Sequence, residues 1–283
     1  MAQPAAPAAP RDPAAPADAP SRRRSGPWTR SLRHGWIIEV AIGAVVFFVY
    51  DALREAARGS AATALANARD IVDAERFLGI YQEHRIQSAF IDWEPFISFW
   101  NIYYGTIHFV VPVVALVILY LRTPARYVRW RNTLLALLAL GLVGFALYPL
   151  APPRLMPGGE FVDTAAEYFN FGPQQPIRLA PDGAPTEAAQ DAFGNLFAAM
   201  PSLHVGWATW SALALLPLAR RRWLKAVLLA YPLCTVFAIV VTGNHWLLDA
   251  VGGWVALALA YGIAALPDVV RNRTLPPIAE DHP

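Results

Sequence analysis

Charge and cysteine are both scarce in this chain. Asp, Glu, Lys and Arg supply only 16% of its 283 residues, while 56% are hydrophobic. With a mean hydropathy of +0.35, that balance excludes an ordinary soluble domain, in which about a quarter of the residues carry charge. The one cysteine, Cys234, sits inside an apolar run, which excludes an intramolecular disulfide and any cysteine-built zinc or iron–sulfur centre. A formal net charge of +2 is too balanced for a nucleic-acid partner, which calls for a concentrated basic face.

Apolar runs dominate instead. A helix needs about 20 apolar residues to cross the hydrocarbon core of a bilayer. Six stretches approach that length: Trp36–Leu53, Phe96–Leu121, Thr133–Leu150, Leu203–Ala219, Ala226–Thr242 and Trp246–Leu266. The first follows Arg22, Arg23, Arg24, Arg30 and Arg33 and competes with a signal-peptide reading. Its length, its late start and the lack of a small-x-small cleavage site favour an uncleaved span. The sequence therefore predicts an all-α, polytopic membrane protein with six transmembrane helices. Residues 1–33 are expected to be a disordered, Ala/Pro-rich and basic tail, 34–267 the six-helix membrane domain, and 268–283 a short tail. Sixteen of the 23 Lys and Arg residues fall on the side of the two termini, which by the positive-inside rule places both termini in the cytoplasm.

Two long segments face the opposite way. Glu55–Glu94 reads as an interfacial amphipathic helical segment, with Ile71, Phe77, Leu78, Ile80 and Ile86 set among charges. Residues 151–201, with eight prolines, read as an irregular Pro-rich cap loop.

Ionisable side chains near span ends are the informative ones, because burying them is costly unless they pair or work. Four stretches qualify: NIYYGTIHF with Asn101, Tyr104 and His108, YPLAPPRLMP with Arg154, AAMPSLHVGW with Ser202 and His204, and VVTGNHWLLDAVGG with His245 and Asp249. Arg154, His204 and His245 converge on one extracytoplasmic layer in the six-span layout. His245 and Asp249, four apart, share a helical face, so the carboxylate can orient the imidazole and leave its other nitrogen as base or nucleophile. Met200–His204 reads as a helix start, with Pro201 in the first turn and Ser202 as a cap, and such an N-terminus attracts anions. Arg154 can offer a bidentate fork to the same anion. Two histidines, a carboxylate, an arginine and a helix start suit phosphoryl transfer without metal.

Each piece has a plainer reading. His108 and Tyr104 alone read as interface residues, Arg154 as a snorkelling side chain, Ser202 as a simple cap, and Gly252 with Gly253 as a close-packing pair. A zinc site on His204, His245 and Asp249 competes too, but it gives Arg154 no role.

PPR, PSLH and GNHWLLD together resemble the type 2 phosphatidic acid phosphatase superfamily over roughly Tyr50–Leu266. The nearest likeness is to the inositolphosphotransferase branch, the inositol phosphorylceramide synthases of the aureobasidin-resistance type. The resemblance implies His245 as a nucleophile forming a phosphohistidine and Asp249 as its partner. It implies His204 as proton donor to the leaving group, Ser202 and Arg154 as phosphate-binding residues, and Asn101, Tyr104 and His108 as a supporting motif. No cofactor and no metal are expected. Two features depart from the family: no lysine stands near Arg154, and Ala238 and Ile239 replace the Ser-Arg pair before His245. The implied activity is phosphate-ester transfer or hydrolysis on a lipid-phosphate substrate, at the extracytoplasmic face of the cell membrane. A lipid or polyprenyl (pyro)phosphate phosphatase is the alternative acceptor chemistry. An anionic-lipid transporter is the non-enzymatic one.

Overall fold

The computed structural model describes residues 27–164 and 195–274, and they are helical almost throughout. The chain divides into two compact units, residues 1–47 and 48–283. The first, in its described part, is most of helix α1 (Pro27–Ala56), whose segment Gly35–Ala56 is long and apolar enough to cross a membrane. The second holds α2 (Ala61–Leu78), α3 (Glu83–Phe90), α4 (Glu94–Arg122), α5 (Pro124–Leu147), α6 (Leu203–Leu215), α7 (Arg222–Val241) and α8 (Leu247–Thr274). Among the described residues there is no strand, only an isolated bridge between Leu150 and Ala198.

Five segments have the length and apolarity of a membrane span: Gly35–Ala56, α4, α5, α7 and Leu247–Leu266 of α8. The remaining expected span is shorter. With the 3-10 turn that follows it, α6 covers Leu203–Leu218. Its apolarity has a different cause, because it packs against α4, α5, α7 and α8 and buries Val205, Ala208, Trp210 and Ala212 among others. A helix apolar all round is what enclosure within protein requires. By contrast α4 buries a single stripe, Ile97, Asn101, His108, Pro112, Ala115 and Leu119. Val110, Val113, Val114 and Val117 on the same helix face outward, the pattern of a lipid-facing surface.

One boundary moves. The third expected span began at Thr133, yet α5 starts at Pro124, because Thr123 alone separates α4 from α5 and proline is at home in a first helical turn. Arg126, Arg129 and Arg131 therefore lie on α5, not in a loop.

The extramembrane segment expected at Glu55–Glu94 contains two helices. Ser60 caps α2 by accepting the Thr63 N–H at 3.1 Å, and Gly79, at φ 71°, ends it in the left-handed region. The buried stripe of α2 runs Ala64, Leu65, Ala68, Ile71, Val72, Glu75, while Phe77 is 91% exposed. Small residues on that stripe let a second backbone approach. The Ala151 N–H donates to the Ala64 carbonyl at 3.1 Å, and Asn67 Nδ2 donates to the Pro149 carbonyl at 2.7 Å. So α2 is a shelf for the chain leading to Arg154. On α3 the buried pair is polar, Glu83 and Gln87. Gln87 takes both backbone groups of Val162, donating to its carbonyl at 3.0 Å and accepting its N–H at 2.9 Å.

Of the Pro-rich cap expected at 151–201, residues 165–194 lie outside the described residues, as do the 1–26 tail and residues 275–283. The described ends of the cap are well packed. Leu150, Leu155, Phe161 and Phe197 join Leu65, Ile71 and Trp246 in one buried cluster.

The starts of α6 and α8 touch at Gly253. A β-carbon there would sit 2.4 Å from the Ser202 carbonyl oxygen, a backbone atom that cannot swing away. Gly253→Ala should therefore lower stability by about 1–3 kcal/mol through overpacking, read as a lower thermal midpoint of the detergent-solubilised protein. An unchanged midpoint would contradict the tight crossing.

Candidate active site

Between α7 and α8 the chain makes a turn at Thr242–Trp246, which Gly243 permits at φ 68°. His245 stands in this turn. It is therefore not one turn before Asp249 on a continuous helix, as the spacing suggested. Asp249 is the third residue of α8 and reaches back, its Oδ2 accepting the Trp246 N–H at 3.0 Å while lying 3.0 Å from His245 Nδ1. The first contact is the reach-back half of a capping box. The carboxylate only accepts, so it assigns the hydrogen to Nδ1 and leaves the lone pair on Nε2. Asp249 is fully buried and His245 is 4% exposed.

His245 Nε2 lies 3.3 Å from Nδ1 of His204, the second residue of α6. Ser202 holds the N-cap position, with Pro201 ahead of it and not in the first turn. Its hydroxyl makes no capping bond and is buried without a partner. The Ser202 N–H donates to the Asp249 carbonyl at 2.9 Å, which ties the starts of α6 and α8 together. The first-turn N–H groups of α6 lack intrahelical acceptors, as at any helix start.

Arg154 follows Pro152 in the 3-10 turn Pro153–Leu155. Its N–H donates to the Gly243 carbonyl at 2.9 Å, which brings it to the turn that carries His245. Its Nη1 pairs with Asp163 at 3.2 Å, and its Nε is buried with no partner.

From α4, Tyr104 stacks on His204 with ring centroids 4.4 Å apart, and His108 meets the same ring edge-on at 4.3 Å. His108 Nδ1 bonds the Tyr104 carbonyl. Asn101 stays apart from the histidines. Its Oδ1 lies 3.2 Å from the Thr164 hydroxyl, which is also 3.2 Å from the Thr242 carbonyl. It thus braces the turn from behind. The zinc reading finds no common point, since Asp249 and His204 meet opposite nitrogens of one imidazole. Among the described residues no group of His, Cys, Asp or Glu is disposed to hold a metal ion.

Two residues next to this site escaped the sequence reading. The Leu247 N–H donates to Glu83 Oε1 at 2.8 Å, and the Leu248 N–H donates to Glu75 Oε1 at 2.7 Å. Both carboxyls are fully buried. A signal was present, because Glu75 continues the apolar stripe of α2 where a hydrophobic residue is due.

Several long apolar helices enclosing a polar layer of paired histidines, a carboxylate and an arginine define a helical membrane protein with an enzyme-like site. The chain belongs to the PAP2 superfamily, whose family model matches residues 69–263. That membership makes it a phosphatase-type membrane enzyme, of the lipid phosphatase and phosphotransferase kind. No curated protein and no solved structure matches the chain.

Because the Ser202 hydroxyl caps nothing, Ser202→Ala should leave the thermal midpoint within the change expected of about 0.5 kcal/mol, against the roughly 1 kcal/mol of a true N-cap. A cap-sized loss would restore the structural role.

Proposed function

We propose that the protein cleaves a phosphate ester of a lipid at the extracytoplasmic membrane face, through a phosphohistidine on His245. The observation that carries this reading is the continuous line Asp249 Oδ2, His245 Nδ1, His245 Nε2, His204 Nδ1, with contacts of 3.0 and 3.3 Å. His245 Nε2 attacks phosphorus, the phosphorus–oxygen bond to the leaving group breaks, and His204 gives that oxygen its proton. Asp249 stabilises the positive charge that gathers on the His245 ring. In the second half, an acceptor hydroxyl gives its proton to His204 and attacks phosphorus, and the phosphorus–nitrogen bond breaks. The 3.3 Å contact between the rings leaves no room for phosphorus, so His204 must turn away from Nε2 as the phosphate enters.

Arg154, the Ser202 hydroxyl and the first turn of α6 would hold the phosphate oxygens. In support, Arg154 Nε and Ser202 Oγ are both buried polar atoms without a protein partner, donors that phosphate oxygens would satisfy. Tyr104 and His108 pack against the ring of His204 and limit the directions in which it can turn. Among the described residues, the scarcity of cations beside Arg154 favours a singly charged phosphodiester over a dianionic monoester. It therefore favours headgroup transfer of the inositolphosphotransferase kind, with both termini in the cytoplasm and no metal.

The test is to incubate purified protein with a panel of lipid phosphates and phosphodiesters, following released phosphate, new lipid species and labelled phosphoenzyme. Turnover should survive chelator. His245→Ala should lose at least about a thousandfold in kcat and all phosphoenzyme, and Arg154→Ala about a hundredfold or more. Near-normal turnover in the His245 variant would sink the mechanism. Lipid movement without phosphoenzyme or product would make the protein a transporter.

A further inference from the structure

A helix start leaves its first backbone N–H groups without intrahelical acceptors. At α8 these are met by three carboxyl groups: the Trp246 N–H by Asp249 at 3.0 Å, the Leu247 N–H by Glu83 at 2.8 Å and the Leu248 N–H by Glu75 at 2.7 Å. Asp249 caps from within α8. The other two come from 164 and 173 residues away in sequence, on α3 and α2. Glu75 stands where the apolar stripe of α2 calls for a hydrophobic residue, and both glutamates are fully buried. The second Glu83 oxygen accepts the Gln82 N–H at 3.0 Å. Glu83 is thus pinned before it pins α8.

From this geometry we infer that Glu75 and Glu83 are positioning residues for His245: by holding the first turn of α8 from two other helices, they set the height and rotation of the turn that aims the imidazole. This rests on His245 being the nucleophile, as proposed above. Neither carboxyl touches the imidazole. They act through Leu247 and Leu248, which lie between Trp246 and Asp249 in the chain. A displacement of the order of 1 Å at a reacting atom costs about a hundredfold in rate, so loosening this turn should be felt in kcat and not in substrate binding.

The charges facing Glu75 set how the device responds to pH. They are Glu83 from α3 and, at the start of α8, Asp249 with its partner His245. Arg76, on the same helix as Glu75, lies instead over the Tyr81 ring at 4.9 Å. Burial first, then the neighbouring Glu83 carboxyl, push Glu75 from 4.5 up to about 9, against the Leu248 N–H, which lowers it. Its Oε2 is buried without a partner, where a proton is better tolerated than a charge. A raised carboxyl helps the fold while protonated. That help is complete in acid, declines as pH rises above about 4.5, and is gone above about 9.

The experiment uses the full-length protein in detergent micelles with phosphatidic acid, or with whichever lipid of the panel above it turns over fastest. Glu75→Gln keeps an acceptor for Leu248 and carries no charge. It should hold kcat within about twofold at neutral pH, gain thermal stability over wild type as pH rises from 5 to 9, and lose less activity above pH 9. Glu75→Ala and Glu83→Ala should each lower kcat by about 10- to 100-fold with KM within about threefold. Should either alanine variant fail to fold, Glu83→Gln carries the test. Only one of its two oxygens remains an acceptor, so its kcat should fall about tenfold. Wild-type kcat in Glu83→Gln, effects confined to KM, or Glu75→Gln as damaged as Glu75→Ala would overturn the inference. An inactive His245→Ala beside such results leaves the proposed chemistry standing, whereas an active His245→Ala removes that chemistry whatever the glutamates do.

Discussion

One oxygen atom joins the candidate site of this protein to its architecture. Asp249 Oδ2 takes the Trp246 N–H and lies within bonding distance of His245 Nδ1, both at 3.0 Å. The same carboxylate oxygen therefore starts α8 and orients the imidazole. A carboxyl buried this deeply needs donors, and the turn Thr242–Trp246 supplies two, both to Oδ2, while Oδ1 is buried without a partner. The bond from the Ser202 N–H to the Asp249 carbonyl extends the arrangement to α6, and hence to His204. Arg154 is tied to the same turn through the Gly243 carbonyl. Three segments far apart in sequence are thus registered on one short stretch of backbone.

The two helix starts that meet there are equipped differently. The start of α8 is closed by the protein's own carboxyl groups. At α6 the cap residue contributes an unused hydroxyl, and the side chain after Leu203 is a histidine. Among the described residues only the start of α6 is without such carboxyl partners, so the proposed phosphate would meet one open helix end and not two.

Much of this was legible in the sequence where the cause is local. Long apolar runs mark α4, α5, α7 and α8 because lipid or protein burial is the only use for them. His204, His245, Asp249 and Arg154 stand out as a group because ionisable residues are conspicuous against an apolar background. Local spacing misled at His245, where four residues span a turn and a cap and not a helical face. Glu75 and Glu83 were hidden because their partners are backbone atoms more than 160 residues away, and a backbone N–H has no sequence signature. The interfacial reading of Glu55–Glu94 captured its amphipathic pattern. It could not reveal that the inward face of α2 supports the chain leading to Arg154.

Hydropathy likewise could not tell α6 from a lipid-facing helix, since both solvents select apolar residues. The two differ in what they tolerate. Lipid adapts its shape to any side chain, so Val113 or Val117 of α4 could be exchanged for leucine or isoleucine with little effect. Every neighbour of Trp210 or Ala212 on α6 is a fixed atom of the protein. The sequence of α6 should drift least among the apolar helices, although nothing in its hydropathy sets it apart.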